Sequence, residues 1–398
     1  MISVEEATAR IVAAFAPAEA ENVSIGQAAG RVLAAEAIAK FDQPPYPVSA
    51  MDGYAVRTAD IDKVPAALRV IGSAPAGHPF NGKISAGEAV RIFTGGVVPE
   101  GADAIVIQED TEASGDTVTI KELPKPGKHI RIAGLDFRKG DVLVKAGRRL
   151  TARDLSLIAA GDVASVSVRR RPVIAFAATG DELSLPGEPR KPGGIVASSV
   201  YGLSALIETW GGEARDLGIV PDTVEAIADL TQKASGADLL VTLGGASVGE
   251  HDLVQRALGP KGFLLDFWKI AMRPGKPLIF GRVGALPLLG LPGNPVSTLV
   301  CAALFLRPAI AAMLGAETSL PLLNAHLASN LPPNDSRQDY LRAKVSLVKG
   351  EWEVQPFAIQ DSSMLGALAA ADALIVRAPQ APAARKGEIV QIYPLWDQ

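Results

Sequence analysis

A chain of 398 residues exceeds what one hydrophobic core ordinarily organises, so several domains are expected. With 39 Lys and Arg against 43 Asp and Glu the net charge is −4, which disfavours nucleic acid or an anionic membrane as the main partner. A single cysteine, Cys301, excludes an internal disulfide and cysteine-ligated zinc or iron–sulfur centres, and four scattered histidines argue against a His-rich metal site.

The N-terminus, Met1-Ile-Ser-Val-Glu-Glu-Ala, lacks the basic and apolar regions of a signal peptide. The longest apolar run, Val296 to Leu306, is short for a bilayer span and closes at Arg307-Pro308. A soluble, cytoplasmic protein is expected. The first 40 residues read as helical, including the Ala-, Leu- and Val-rich stretch from Gly26 to Lys40, until Asp42-Gln-Pro-Pro-Tyr-Pro stops any helix. Short β runs follow at Leu68–Ile71, Ala89–Phe93, Ala104–Gln108, Thr117–Ile120 and His129–Ile132, punctuated by Gly and Pro, which predicts an inserted small barrel or sandwich. Thr151-Ala-Arg-Asp154 predicts a capping box opening a helix to about Ala160.

From 172 onward, apolar strands alternate with helices. Strands are expected at Val173–Ala178, Glu213–Val220, Asp238–Leu243, Phe263–Ile270, Leu278–Phe280 and Leu286–Leu291. Helices are expected at Tyr201–Trp210, Asp222–Ala234, Asp252–Leu258 and from Val296. This pattern reads as a doubly wound parallel sheet. After 318, β segments at Tyr340–Leu347, Trp352–Pro356, Ala373–Val376 and Glu388–Ile392 predict a terminal β domain. The expected domains are 1–42 plus 136–171 (helical linker), 43–135 (inserted β), 172–317 (α/β) and 318–398 (β, barrel-like).

Open α/β sheets hold ligands beyond the carboxyl ends of their strands. Three loops lie there: Thr179-Gly180-Asp181-Glu182, the stretch Gly244-Gly245-Ala-Ser247-Val-Gly249-Glu-His-Asp252, and Pro292-Gly293-Asn294-Pro295. Backbone N–H groups near helix starts hold phosphate-like anions. The plainer alternative is that the glycines only turn strand into helix, with Asp222, Asp252 and Asn294 as N-caps. Lys269, Arg273 and Lys276 lie on Trp-Lys-Ile-Ala-Met-Arg-Pro-Gly-Lys-Pro, where the prolines stiffen a cationic clamp expected to face the same edge. The carboxylates Asp181, Glu182, Asp222 and Asp252 could ligate Mg²⁺, which favours one or two carboxylates plus substrate phosphates. Cys301, inside an apolar helix, reads as core.

These residues occur with Asp42-Gln-Pro-Pro-Tyr-Pro-Val-Ser-Ala-Met-Asp52-Gly-Tyr-Ala, Arg91-Ile-Phe-Thr94-Gly-Gly and Gly290-Leu-Pro-Gly-Asn-Pro295, in order. Together they resemble the MoeA family, the molybdopterin molybdenumtransferases, which is similar to the C-terminal domain of gephyrin. The likeness spans essentially the whole chain. It implies a homodimer of four-domain protomers that inserts molybdenum from molybdate into adenylylated molybdopterin, with Mg²⁺, and releases AMP. It further implies that Lys269, Arg273 and Lys276 hold the anions, that Asp222 and Asp252 are metal ligands, and that Glu182 is their neighbour. Asp52, Thr94 and Asp136 resemble residues facing the partner subunit's cleft, whereas Arg342 and Ser362 resemble contacts of the molybdate pocket. Pro292 and Pro295 border that site. At Val196-Ala-Ser198-Ser199 the family often has an acidic residue and an Asn where Ala197 and Ser199 stand here. Arg273 replaces a Lys of some relatives.

Two other functions are weighed. A molybdopterin adenylyltransferase would use a similar α/β domain but has no need of the remaining chain. A gephyrin-like scaffold would bind a peptide and tolerate Asp252→Ala; the retained acid and base set disfavours it. Other enzymes of molybdenum cofactor synthesis are possible partners.

Overall fold

The computed structural model describes residues 1–244 and 248–395, the side chains of 248–252 excepted. The chain divides into two compact units, one of residues 1–21, 30–34 and 168–398, the other of 22–29 and 35–167.

The smaller unit is built on a six-stranded sheet. Its strands lie in the order Ala104–Ile107, Gly53–Val56, Glu88–Ile92, Ala66–Ala74, Thr117–Ile120 and Thr111–Ser114. Period-two alternation sends Tyr54, Val56 and Val106 to one apolar face and Ala55, Val90 and Ile105 to the other. The two outer strands each pair once among the described residues, so this is an open sheet and not the closed barrel or sandwich that the turn spacing suggests. The Ala152–Ala160 helix opens on the expected capping box: the Asp154 N–H donates to Thr151 Oγ1, and the Thr151 N–H donates to the Asp154 carboxylate.

The stretch from Gly26 to Lys40 is not helical. A short 3₁₀ turn covers Ile25–Gln27, Gly30 takes φ +71°, and Ala37–Ile38 pairs with Val142–Val144 as strand. Pairing partners distant in sequence override an alanine-rich composition here.

In the larger unit, helix α1 (Val4–Ala13) is capped by Ser3, whose hydroxyl accepts from the Glu6 N–H at 3.0 Å, and it buries Val4, Ala7 and Ile11 on one face. The α/β layer follows as β1 (Val173–Thr179), α2 (Ser199–Thr209), β2 (Glu213–Val220), α3 (Val224–Lys233), β3 (Leu239–Leu243), α4 (Val248–Leu258), β4 (Phe263–Trp268), β5 (Ile279–Val283) and β6 (Leu286–Leu291). The sheet order is β2-β1-β3-β6-β5-β4. β1, β2, β3 and β6 are parallel; β1, β3 and β6 are the apolar runs such a sheet predicts, and β2 is a partly exposed edge strand carrying Glu213, Arg215 and Asp216. β5 runs against both neighbours, because the Gly284-Ala285 turn before β6, with Gly284 at φ +60°, is too short for a crossover. The sheet is therefore mixed rather than wholly parallel.

Along β1, Ile174, Phe176 and Ala178 pack on the α1–α2 side, while Ala175 and Ala177 pack towards α3 and α4. The long helix α5 spans Pro295–Met313, with a wide π turn over Ala302–Leu306 just ahead of Pro308, whose ring and missing N–H forbid regular α pairing there. By length and composition α5 could cross a membrane, contrary to the expectation drawn from the Val296–Leu306 run, but 83% of it is buried in the core of this unit.

The end of the chain forms a closed five-stranded barrel of β7 (Leu323–Leu327), β8 (Gln338–Val348), β9 (Glu351–Pro356), β10 (Ala373–Arg377) and β11 (Ile389–Pro394). The ring β8-β9-β7-β11-β10 closes through β10 onto β8, around an interior of Leu327, Ala343, Val354, Ile375 and Ile392. Met272–Arg273 adds a short parallel strand beside Gln338–Asp339, tying the loop before β5 to the barrel.

Candidate functional site

Three strands of the α/β sheet end together. A Cβ placed on Gly244, after β3, would lie 2.8 Å from Thr179 Oγ1 and 2.9 Å from the Thr179 carbonyl, at the end of β1. One placed on Gly293, after β6, would lie 3.6 Å from the Gly244 Cα. At 244 only glycine allows this approach, and at φ +98° Gly244 is also in a conformation that other residues rarely adopt, whereas a Cβ on Gly293 would make ordinary contact. Over this meeting point opens a cavity of about 660 Å³.

The cavity gathers many of the expected residues. Thr179 and Glu182 line it from the first loop, Ser199 from the start of α2, and Pro292, Gly293, Asn294 and Pro295 from the third loop. Arg273 and Lys276 line it from the proline-braced turn, and Ser362 from the segment before β10. Thr179 is 7% exposed, and its hydroxyl has no hydrogen-bond partner among the described residues. Asn294 is the cap residue of α5, yet its side chain makes no cap bond; Nδ2 donates instead to Ser362 Oγ at 3.0 Å. The Val296 N–H donates to the Ser362 carbonyl at 3.3 Å, so the 360–364 segment is docked on the positive end of α5.

The cationic turn is rigidly seated. Arg273–Pro274 is a cis peptide, and Gly275 at φ +108° leaves no room for a side chain, since a Cβ there would be 2.3 Å from Cys301 Sγ. Cys301 is fully buried beneath this turn, its thiol pushed up in pKa by burial, which makes it core, as expected. Lys276 is exposed and makes no ion pair among the described residues. Arg273 differs: its Nη2 donates to the Asp339 carboxylate and Nη1 reaches Asp335 at 3.4 Å. The Asp339 bond raises the already high pKa of Arg273, and Arg337 lowers that of Asp335 to about 2.

Other expected site residues sit elsewhere. Lys269 does not line the cavity; its ammonium lies 3.7 Å from the Trp268 ring centroid, so the three cations are not one clamp. Arg342 is 1% exposed and lies behind the wall rather than on it. Its guanidinium donates to Gln360 Oε1 at 3.2 Å and to the Asp361 carbonyl at 2.9 Å, bracing the segment that carries Ser362, and burial lowers its pKa. Gly180 and Asp181 lie off the wall; a Cβ on Gly180 would strike the Glu182 carboxylate at 2.6 Å. Asp222 does not line the cavity and is not an N-cap, because Thr223 caps α3 by accepting from the Ala226 N–H at 3.2 Å. Asp252 falls four residues inside α4 rather than at its start, while Gly249 is the second residue of that helix; the Asp252 side chain, Gly245 and Ser247 lie outside the described residues. Among the described residues no three His, Cys, Asp or Glu side chains gather as a metal site.

In the smaller unit, Asp52 and Thr94 are in contact: Asp52 Oδ1 accepts from the Thr94 N–H at 2.7 Å and from its hydroxyl at 2.8 Å. These two bonds hold the Asp52 carboxyl below its usual pKa. Asp136 is exposed, on a segment whose backbone pairs with Gln43.

Polar and charged cavity residues that sequence reasoning did not select are Ser198, Ser297, Arg337, Gln360 and Asp361. Ser297 follows the Asn294-Pro295 cap by less than one turn, which is a usable signal. Ser198 directly precedes α2, and Arg337, Gln360 and Asp361 come from segments whose approach depends on barrel closure.

Residues 2–161 match the MoeA N-terminal region (domain I and II), residues 175–312 a probable molybdopterin binding domain, and residues 324–395 the MoeA C-terminal region (domain IV). A molybdopterin molybdenumtransferase of Haemophilus influenzae is 36% identical over 400 residues, covering 99% of this chain and 98% of that protein. One from Bacillus subtilis is 32% identical, covering 98% and 93%. Two crystal structures of the molybdopterin biosynthesis MoeA protein from Pyrococcus horikoshii align at TM-scores of 0.84 and 0.87, with 31% and 27% identity and nearly full coverage of both chains.

Proposed function

Since the chain belongs to the MoeA family, we propose that it is a molybdopterin molybdenumtransferase that inserts molybdenum from molybdate into adenylylated molybdopterin with release of AMP. The observation that carries this reading is the single cavity in which Lys276, the start of α5 and the Gly-bearing strand ends converge. Molybdate is a dianion and the organic substrate carries phosphates. A free ammonium and the positive end of a helix stabilise such groups, and a largely pre-formed wall reduces the ordering cost of binding.

Mg²⁺ suits the donors present. Glu182 is a cavity-lining carboxylate without an ion pair among the described residues, and magnesium takes one or two carboxylates plus substrate phosphates. Glu182 would hold the ion, with Asp252 as a second donor. When bound, the ion neutralises charge on the phosphoanhydride that is cleaved. Thr179 supplies a buried hydroxyl with no competing partner among the described residues, suited to orienting one substrate oxygen. Ser362, held by Asn294, presents a second hydroxyl across the cavity.

The proposal also has the protein working in the cytoplasm as a homodimer, with Asp52 and Thr94 serving the partner subunit's cavity. It is tested by giving the purified protein adenylylated molybdopterin, molybdate and Mg²⁺. AMP release dependent on molybdate is the expected result, and no release at saturation refutes the reading.

A further inference from the structure

We propose that Asp339 is a positioning residue for this cavity: its buried carboxylate holds the Arg273 guanidinium and so restrains oxyanion binding, leaving Lys276 as the unrestrained cation. The inference rests on the reading of the cavity as an oxyanion site. Asp339 is 3% exposed and stands in register opposite Arg273 where Met272–Arg273 pairs with β8. One of its oxygens takes the Arg273 bond, while Oδ1 is out of solvent with no donor among the described residues. A buried carboxylate that is only half satisfied depends strongly on its one charged partner, because losing it would leave an uncompensated charge.

The other contact of Arg273 is of a different kind. Asp335 has a side chain 45% exposed, lies 3.4 Å away, and is already bonded to the Arg337 N–H at 2.8 Å and to its guanidinium at 2.9 Å. Arg273 itself is half exposed and lines both the substrate cavity and a second cavity of about 640 Å³ on the barrel. An arriving oxyanion can displace Asp335 at little cost, but it must share the guanidinium with Asp339. The turn does not need this bond for its shape, since the Gly275–Cys301 contact and the Ile270 N–H to Lys276 carbonyl bond at 3.0 Å also fix it. Removing the Asp339 charge therefore acts on anion affinity more than on architecture.

The test is equilibrium binding of molybdate to the full-length protein, by calorimetry. Asp339→Asn keeps an oxygen that can accept from Arg273 but removes the charge. Molybdate should bind about fivefold tighter, the worth of a half-exposed ion pair. Asp339→Glu should stay near the unmodified protein, and the tightening should vanish in an Arg273→Gln background. A merely structural role predicts weaker binding, so unchanged or weaker affinity in folded Asp339→Asn overturns the proposal. So does tightening that persists without Arg273. If Asp339→Asn does not fold, the exposed Asp335→Asn carries the test; about twofold tighter binding that depends on Arg273 is expected, and none overturns it. Absence of AMP release would sink the proposed reaction and leave this binding comparison standing, so the two failures are distinguishable.

Discussion

Residues of one chemical type end in opposite roles here, and packing decides which. Lys276 and Arg342 are both cations proposed for one anion pocket, yet the first has no ion pair among the described residues at the cavity wall and the second donates to carbonyls behind it. Lys276→Ala should thus lower molybdate affinity about tenfold, the value of one charged hydrogen bond, while the melting temperature barely moves, because an exposed Lys contributes little to stability. Titration calorimetry beside a thermal melt checks both; a large fall in melting temperature with unchanged affinity would count against the assignment. Asp52 gives a pH prediction. Its two bonds from Thr94 lower its folded pKa beneath the ordinary 3.8. The associated stability is present above the unfolded value and is lost as pH falls through the folded one. Asp52 is thus an anion at neutral pH. Thr94→Val should move its titration upward towards 3.8, as followed by the carboxyl carbon shift in NMR.

At the level of elements, what the sequence makes legible is whatever local patterning determines. β1, β3 and β6 are continuous apolar runs and fold as read, β2 forms where expected although it carries Glu213, Arg215 and Asp216, and the Thr151–Asp154 box opens its helix as expected. Residues 26–40 mislead because alanine-rich composition favours helix while the actual partner strand lies a hundred residues away. The cap of α3 is misread because Asp is a good cap in general and a cap is settled by one residue of register, Thr223 rather than Asp222, whereas α4 begins four residues before Asp252. Two substitutions test these elements. Thr151→Ala should cost about 1 kcal/mol, seen as a lower melting temperature. Gly275→Ala should cost more, about 2–4 kcal/mol, because a 2.3 Å clash with Cys301 Sγ adds to the strain of φ +108°. Pairing it with Cys301→Ala should recover the clash but not the strain, so denaturant unfolding of the double variant should fall between the two. Full recovery would show that the backbone conformation costs nothing.

For the molecule as a whole, the cavity is assembled from segments that sequence reasoning cannot bring together. The strand-end loops are predictable from α/β topology, but Gln360–Ser362 and Arg337 reach them only once the barrel closes through β10 and β8 and Met272–Arg273 joins its edge. The Arg273–Asp339 bond spans 66 residues and has no local signature. Asp52 and Thr94 precede every residue lining the cavity, which begins at Ala178, by longer stretches still, and the proposed homodimer gives them a purpose. If each site takes Asp52 from one subunit and Lys276 from the other, then at molybdate well below saturation, where a tenfold loss of affinity leaves about a tenth of the rate, each of Asp52→Asn and Lys276→Ala alone impairs every site. Refolding the two variants together in equal amounts makes half the dimers mixed, and each mixed dimer then carries one intact site of two. AMP release should therefore return to about a quarter of the unmodified rate. Sites built within one subunit predict no recovery at all, because every chain in the mixture carries a lesion. The rate after mixing thus decides between a shared and a self-contained site.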